Sequence, residues 1–270
     1  MTQSVAIVGT GNMGGGMAAN LLSQGWGVRV HDIDRAKVDA LVAHGAVAAA
    51  TPGECAAASA LTIVCVVDAA QTGDVLFGAG GVAAAVPAGH TVMLCPTLSP
   101  QDVESFSQRL AGMGLQAIDA PMSGGPARAR DGTMSLMVAC ADAVFHQHGS
   151  LINTLSSRVF RISQQPGDGA RTKLVNNLLA GINLVGAAEV LALAARMGLD
   201  LERTLDVIEQ SSGQSWIGSG RASFAGFLLV LHGGVMVMGL LWLAKQHNNW
   251  TWGGLLRRRQ PAASAGESAP

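Results

Sequence analysis

A lysine followed by two asparagines opens a long, mostly apolar stretch, DGARTKLVNNLLAG. Lys173, Asn176 and Asn177 are spaced i, i+3 and i+4, so they share one helix face, with Gly169 one turn earlier. No charged residue follows Lys173 until Glu189, and a partly desolvated amine can exchange protons near neutrality. Asn177 can hold a hydroxyl or a carboxylate. These residues predict an acid–base site, and the alternative is a lysine that reaches solvent from the start of a helix.

A glycine pattern typical of phosphate binding lies between a strand-like run and a helix-like run near the N-terminus. Gly9 permits a tight turn, Gly11 lets the backbone approach a pyrophosphate, and Gly14 allows close helix–strand contact. The helix that follows offers free N–H groups to the anion. The predicted cofactor-binding set at this turn is Gly9, Thr10, Gly11, Asn12, Met13 and Gly14. A glycine-rich turn without a ligand is the alternative.

An acidic residue ends the second strand-like run, 23 residues after the first glycine. Asp32 can there accept hydrogen bonds from the adenosine ribose hydroxyls. This carboxylate favours NAD over NADP, because a 2′-phosphate would meet a negative charge. Arg35 weakens that preference, since its side chain could turn toward such a phosphate.

A third group lies in the stretch DAPMSGGPARARDGT. Gly124 and Gly125 leave backbone N–H groups open, which suits a carboxylate, and the Ser123 hydroxyl can donate as well. The stretch therefore predicts a substrate-binding loop. Taken alone, it reads equally well as an ordinary loop.

Alternating strands and helices must position these groups. Periodicity predicts strands at 4–9, 27–32, 60–67, 90–96, 115–121, 133–139 and 157–163, and helices at 12–25, 35–45, 141–155, 170–197 and 201–211. This alternation is typical of an open α/β sheet. The predicted fold class is α/β, a Rossmann-like dinucleotide-binding domain followed by an all-helical domain that is incomplete or altered.

The predicted domains are a nucleotide-binding domain at 1–165, the start of a helical substrate domain at 166–220, and a divergent apolar segment and tail at 221–270. Pro and Gly between 164 and 169 mark the first boundary.

Composition excludes several other classes of function. Lys plus Arg is 17 and Asp plus Glu is 18, so no basic surface favours nucleic acid. The four cysteines form no CxxC pair, so we predict no structural metal, and a reducing cytoplasm fits them. The N-terminus lacks the basic start of a signal peptide. Tyrosine is absent, which removes every mechanism that needs a phenol. The histidines sit in no convincing site context, which weakens the alternative of a 2-hydroxyacid dehydrogenase.

The three motifs, in this order over roughly residues 4–216, resemble the β-hydroxyacid dehydrogenase family. Its nucleotide, substrate and catalytic signatures are similar to GTGNMGGGMAANLLSQG, DAPMSGGPARARDGT and GDGARTKLVNN. The resemblance implies an NAD-dependent enzyme of carbohydrate metabolism that oxidises a small β-hydroxy carboxylate such as L-threonate or 3-hydroxyisobutyrate. It also implies that Lys173 is the acid–base residue and that Thr97, in CPTLSP, contacts the cofactor. The substrate residues it implies are Ser123, Gly124, Gly125 and Asn177.

The sequence departs from the family's pattern after SGQSWIGSGR. Residues 222–244 carry no charge, and Lys245 is followed by Gln246 where the family has an acid. One interpretation is a membrane span at 224–244. The other is a tail from a shifted reading frame, which we favour because the basic residues lie on the wrong side for a span. The alternative function is therefore a catalytically silent NAD-binding protein, with or without membrane association. We predict a homo-oligomer if the C-terminal region folds.

Overall fold

The structure is a computed structural model that describes residues 4–215. It divides the chain into two compact units, Met1–Leu179 and Ala180–Pro270. The predictions for the divergent segment, including the membrane span, the frame shift and Lys245, lie outside the described residues. The predicted boundary at 165 falls between the last strand and the long helix, and the predicted domain limits stay predictions.

A nine-stranded sheet forms the first unit. The strands are β1 (Ser4–Val8), β2 (Gly27–His31), β3 (Val47–Ala48), β4 (Leu61–Val64), β5 (Thr91–Leu94), β6 (Gln116–Asp119), β7 (Met122–Ser123), β8 (Ser135–Ala139) and β9 (Arg158–Ser163). Their order is β3-β2-β1-β4-β5-β6-β8-β7, with β9 paired to β8. The strands from β3 to β6 in this order pair in parallel, β8 is antiparallel to β6 and β7, and β9 is parallel to β8. The order β3-β2-β1-β4-β5-β6 is that of a dinucleotide-binding fold.

Helices connect the strands of this sheet. They are α1 (Asn12–Ser23), α2 (Arg35–Val42), α3 (Pro52–Ala57), α4 (Ala69–Phe77), α5 (Val82–Ala85), α6 (Pro100–Gly112), α7 (Gly125–Arg130), α8 (Asp142–Gln147) and α9 (Gly149–Leu155). Alternate residues of β1 belong to different core clusters: Ile7 packs in one with Met17 of α1, and Val8 in another with Cys55 of α3. Both faces of the strand are covered, which explains why β1 is apolar throughout.

The predicted order of elements is confirmed for the long strands, which are β1, β2, β4, β5, β6, β8 and β9. The single helix predicted at 141–155 is wrong. Two helices, α8 and α9, meet at His148, whose ring turns inward and places Nε2 2.8 Å from Thr91 Oγ1. The sequence patterns predict none of the short elements β3, β7, α3, α4, α5 and α7, and they also do not predict the 13-residue α6.

Helix α10 (Asp168–Arg196) begins in the first unit and continues into the second, where α11 (Leu201–Glu209) follows. Among the described residues, α10 is the one helix that is long and apolar enough to cross a membrane by length and composition. The described part of the second unit, 180–215, exposes large apolar side chains at Ile182, Val185, Val190, Leu193, Met197, Leu199, Leu201 and Val207. A helix that packs against another protein surface has the same character.

Candidate active site

The turn after β1 requires glycine at two of its three motif positions. Gly9 has a φ of +92°, and its N–H donates to the carbonyl oxygen of His31 at 2.9 Å. A Cβ at this position would collide with the carbonyl oxygen of Cys65, at the end of β4. A Cβ at Gly14 would collide with the carbonyl oxygen of Gly9. The backbone of β1, β4 and α1 is therefore packed too closely for any side chain there.

The start of α1 is open in the way that a phosphate requires. A Cβ on Gly11, the N-cap residue, would meet no atom within 4 Å. No side chain caps the helix, and its first turn holds no acidic residue. The first N–H groups of a helix need a partner, and an anion is well placed to supply it. Asn12 is exposed and Met13 half-buried at this end of the helix. These features fit the pyrophosphate of NAD.

Asp32 directly follows β2, beside this turn. Its Oδ2 accepts hydrogen bonds from the N–H of Thr10 at 2.6 Å and from its hydroxyl at 3.2 Å, and Oδ1 accepts from the N–H of Asp34 at 2.9 Å. Burial acts to raise the pKa of Asp32, but the hydrogen bonds from Asp34 and Thr10 outweigh it and hold the pKa below its usual value. Arg35 donates from Nε to Asp39 at 2.9 Å, so it is engaged away from the carboxylate.

Two exposed aliphatic side chains follow strands at the same edge, and sequence reasoning missed both. Ile33 is 98% exposed directly after Asp32, and Val67 is 67% exposed beyond the end of β4. The sequence signal for Ile33 was its position directly after Asp32, the predicted ribose-binding acid. Such surface suits the flat apolar face of a nucleotide base, because covering it removes apolar area from water.

Thr97 is an exposed residue in the loop between β5 and α6. It lies at the carboxyl edge of the sheet, which is the edge where ligands bind in open α/β folds.

The Ser-Gly-Gly loop comprises β7 and the start of α7. Ser123 is half-buried and pairs with Ser135 of β8. Gly124 has a φ of +126° and Gly125 a φ of +78°, a region that disfavours other residues. A Cβ on Gly125 would meet nothing within 4 Å, so this side of the loop is open to a ligand.

A third glycine joins this loop to the nucleotide turn. A Cβ on Gly16 of α1 would lie 3.0 Å from Cβ of Ala129 and 3.1 Å from the carbonyl oxygen of Pro126, both in α7. The helix that leaves the Ser-Gly-Gly loop therefore packs closely against the helix that begins at the glycine turn. The glycine run after Met13 was the sequence signal for this contact.

Lys173 lies in the second turn of α10 and is only 8% exposed. Burial lowers the pKa of its amine to about 8. No salt bridge reaches it from the residues between 4 and 215. Asn177, one turn further along the helix, is half-buried, whereas Asn176 is exposed. The lysine thus turns inward, contrary to the alternative of a side chain that reaches solvent.

A buried carboxylate holds the start of this helix, and sequence reasoning gave it no role. Asp119 ends β6, is 1% exposed, and accepts at Oδ2 from the N–H groups of Gly167 at 2.7 Å and Ala170 at 3.1 Å. Burial raises its pKa to about 6, although hydrogen bonds from Ala170, Gly167 and Gly169 act to lower it. A Cβ on Gly169 would lie 2.7 Å from the carbonyl oxygen of Met137 and 2.9 Å from Oδ2 of Asp119.

The parallel sheet brings the two halves of the predicted site to one edge. Gly9 follows β1 and Asp119 ends β6, and the strand order places β4 and β5 between them. The separation is three strand spacings of about 4.8 Å each. In the part of the chain that the structure describes, no three His, Cys, Asp or Glu side chains are grouped to hold a metal.

Comparisons with known proteins agree with this architecture. The family model for the NAD binding domain of 6-phosphogluconate dehydrogenase matches residues 4–163. The model described as NAD-binding of NADP-dependent 3-hydroxyisobutyrate dehydrogenase matches residues 167–225.

Hydroxyacid dehydrogenases are among the similar proteins. The chain is 36% identical over 217 residues to L-threonate dehydrogenase of Cupriavidus necator, covering 80% of this chain and 73% of the relative. It is 34% identical over 212 residues to 3-hydroxyisobutyrate dehydrogenase of Pseudomonas aeruginosa, covering 78% and 71%. A crystal structure of 3-hydroxyisobutyrate dehydrogenase from Salmonella typhimurium superimposes with a TM-score of 0.75 at 37% identity, covering 81% and 76%. The chain therefore belongs to the β-hydroxyacid dehydrogenase family of NAD-dependent oxidoreductases.

Proposed function

We propose that this chain oxidises the hydroxyl of a small β-hydroxy carboxylate, of the L-threonate or 3-hydroxyisobutyrate kind, with Lys173 as the acid–base residue. The observation that carries the proposal is a lysine, 8% exposed, whose pKa burial lowers to about 8. It stands on a helix whose start is bonded to the same sheet edge as the glycine turn. The names of the relatives support this substrate class.

The cofactor-binding residues in this proposal surround the turn after β1 and the loop after β5. They are Gly9, Thr10, Gly11, Asn12, Met13, Gly14, Asp32 and Thr97. The ionised Asp32 accepts hydrogen bonds from the ribose hydroxyls, and the uncapped start of α1 donates to the pyrophosphate. When bound, NAD supplies the acceptor for the hydride that leaves the substrate carbon. NADP is the less suitable cofactor, because its 2′-phosphate would meet the Asp32 carboxylate.

Lys173 handles the proton of this reaction. In the oxidation, its neutral amine accepts the proton of the substrate hydroxyl while the C–H bond breaks and the carbonyl forms. In the reverse reduction, the ammonium returns that proton to the carbonyl oxygen. A pKa of about 8 makes both forms available near neutral pH.

The substrate is held by the Ser-Gly-Gly loop and by α10 in this proposal. The Ser123 hydroxyl and the backbone N–H groups of Gly124 and Gly125 bind the carboxylate, with the open side of the loop at Gly125, and Asn177 binds a hydroxyl or carboxylate oxygen. Which β-hydroxy acid fits best depends on pocket shape and polar partners.

The test is NADH formation on a panel of L-threonate, 3-hydroxyisobutyrate and glycerate, with NAD affinity measured separately. We expect turnover on at least one acid, and at least ~10²-fold slower turnover with unchanged NAD affinity in Lys173→Ala. Near wild-type turnover in that variant would remove the lysine from the chemistry. NAD binding without turnover on any acid would favour the catalytically silent NAD-binding protein.

We further propose that the chain acts in the cytoplasm and as a homo-oligomer. The matched relatives are dehydrogenases of small hydroxy acids by name, and the apolar side chains exposed on 180–215 call for a partner surface rather than water.

A further inference from the structure

The buried carboxylate at the end of β6 has no task in the proton transfer described above. Asp119 is 1% exposed, and no salt bridge joins it to a basic side chain within residues 4–215. Its hydrogen bonds come from backbone N–H groups at the start of α10, those of Gly167 and Ala170. A buried charge without a cationic partner is costly, so its presence here calls for a function.

Close packing as well as hydrogen bonding ties this carboxylate to the lysine helix. Gly169 faces Asp119, and a Cβ there would lie 2.9 Å from Oδ2 and 2.7 Å from the carbonyl oxygen of Met137. Lys173 follows Gly169 by four residues, so both lie on the same face of α10. The face that carries the lysine is thus the face pressed against Asp119.

The ion pairs at this helix start are weaker. Arg171 pairs with Asp168 on its own helix and with Glu104 of α6, but these side chains are 34–49% exposed. Exposed ion pairs contribute little because water screens them. The hydrogen bonds to Asp119 are buried, and they act beside the packing of Ala170 in the hydrophobic core and a part-buried hydrogen bond from Ser163 to Asp168.

We propose, building on the function proposed above, that Asp119 is the positioning residue of Lys173. Its carboxylate holds the first turn of α10 against the end of β6, and this contact sets the depth at which the lysine amine is buried. Asp119 touches neither substrate nor cofactor in this proposal; it acts through the helix.

The depth of burial can be read directly from the amine. The chain has three lysines, Lys37, Lys173 and Lys245, so competitive acylation followed by mass spectrometry resolves each one. The labelling rate as a function of pH gives the titration midpoint of Lys173, with the half-exposed Lys37 as an internal reference. This readout needs no substrate.

Asp119 keeps its charge over the pH range of this titration. Its pKa is about 6, so it stays ionised throughout neutral and alkaline pH. The ionisable groups that interact with it are Asp168, Cys95 and Cys140.

In Asp119→Ala, we expect the midpoint of Lys173 to rise from about 8 by at least about one unit toward the ordinary value of 10.5, because the amine becomes hydrated. We also expect kcat to fall roughly 10- to 100-fold with unchanged NAD affinity. Asp119→Asn keeps an acceptor for the backbone N–H groups, so its midpoint should stay within about half a unit of wild type. A wild-type midpoint in Asp119→Ala would overturn the proposal.

Thr91→Val is the matched control. Thr91 is fully buried at the start of β5 and bonds to Gln116 and His148 at the opposite edge of the sheet. This variant should lose stability but keep the Lys173 midpoint. An equal rise of the midpoint in the control would mean that any loss of stability exposes the amine, and would overturn a specific role for Asp119.

Two further measurements decide the matter if Asp119→Ala does not fold. Gly169→Ala forces a side chain into the same contact and should raise the midpoint as well. In the wild type, amide exchange at Gly167 and Ala170 should be far slower than at the exposed Leu201 and Glu202 in the first turn of α11. Equally fast exchange would overturn the proposal without any variant.

Failure of this inference is distinguishable from failure of the proposed function. Wild-type turnover in Lys173→Ala would end the catalytic role of the lysine but leave the labelling result untouched. Slow turnover in that variant, together with a wild-type midpoint in Asp119→Ala, would reject only the positioning role.

Discussion

Lys173 is buried and has a lowered pKa, although lysine side chains usually lie at the protein surface. It is buried, and burial alone lowers the pKa of its amine from 10.5 to about 8. Below pH 8 such a shift lowers the free energy of unfolding by roughly 3 kcal/mol, because the unfolded chain hydrates the ammonium freely. A protein that only needed a helix there would be more stable with an apolar residue. The cost is understandable if the amine must exchange protons near neutral pH.

The two asparagines after this lysine provide a matched pair of variants. Asn177 is half-buried one turn beyond Lys173, and Asn176 is exposed. We expect Asn177→Ala to raise KM for the hydroxy acid about 10- to 100-fold, since a hydrogen bond to a charged group contributes ~1.5–3 kcal/mol. Asn176→Ala should leave KM unchanged. Steady-state kinetics on both variants check this, and equal effects would contradict a substrate role for Asn177.

At the residue scale, the sequence predicts those site residues that a pattern of neighbouring residues identifies. The spacing of Lys173 and Asn177 follows from helix periodicity within five residues. Asp119 was missed because its partners lie far along the chain: 48 residues separate it from Gly167 and 51 from Ala170. Local patterns carry no information about a cap that comes from another strand.

At the element scale, the strand–turn–helix unit of β1 and α1 depends on glycine at positions where a side chain would not fit. In Gly14→Ala, the new Cβ meets the Gly9 carbonyl oxygen, so we expect NAD affinity to fall at least about tenfold as the turn is displaced. Gly112→Ala in α6, where a Cβ meets nothing within 4 Å, is the control. It should bind NAD normally and gain up to ~1 kcal/mol of stability. Calorimetric titration and thermal melts measure both, and normal binding by Gly14→Ala would refute the close-packing argument.

Two buried histidines link elements at the other edge of the sheet and make stability depend on pH. His90 Nε2 lies 2.9 Å from Thr62 Oγ1, and His148 Nε2 lies 2.8 Å from Thr91 Oγ1. Burial lowers the pKa of both. The unfolded chain therefore binds protons that the folded protein excludes, so this stabilisation is complete above the ordinary value of 6.5 and is lost as pH falls below it.

We expect the melting temperature of His148→Gln to depend less on pH than that of wild type as pH falls below 6.5. Glutamine can keep the bond to Thr91 but cannot titrate in this range. Melts across mildly acidic pH provide the measurement. Parallel curves for the two proteins would show that His148 is not buried as a neutral ring.

Strands β1, β4, β5 and β8 were predictable because each is a mainly apolar run bounded by glycine or a polar residue, and β2 because its apolar and polar residues alternate. The shortest helices were not, since elements such as α5 (Val82–Ala85) are too short to show a period. Helices α4 and α6 are longer, and their N-caps were readable: Ser99 caps α6 and Asp68 caps α4. The break at His148 was not predictable because the apolar period continues through it; the backbone there leaves the helical region, with φ −106° and ψ 13°, and the ring bonds to Thr91.

At the scale of the whole molecule, the strand order places the cofactor turn and the lysine helix at one edge. The alternation of strands and helices predicts an open α/β sheet of the Rossmann-like class, to which this strand order belongs. The position of β8 between β6 and β7 was not predictable, because antiparallel pairing at one end of the sheet depends on contacts between distant segments.

The apolar surface of the second unit predicts self-association. Residues 180–215 expose eight large apolar side chains, more than a monomer in water tolerates without cost. Light scattering coupled to size exclusion should show a dimer or larger assembly of the full chain. A stable monomer at micromolar concentration without detergent would contradict the homo-oligomer, and a requirement for detergent would point instead to a membrane.

If the buried amine of Lys173 carries the proton of the reaction, the pH dependence of kcat/KM tests this most directly, because kcat/KM reports the pKa of the free enzyme. In the direction of hydroxy-acid oxidation, kcat/KM should rise through an inflection near pH 8, where the amine loses its proton, and then level off. In the reduction, kcat/KM should fall through the same value, and the inflection should vanish from the residual rate of Lys173→Ala. A flat profile around pH 8, or the same inflection in the variant, would contradict the account.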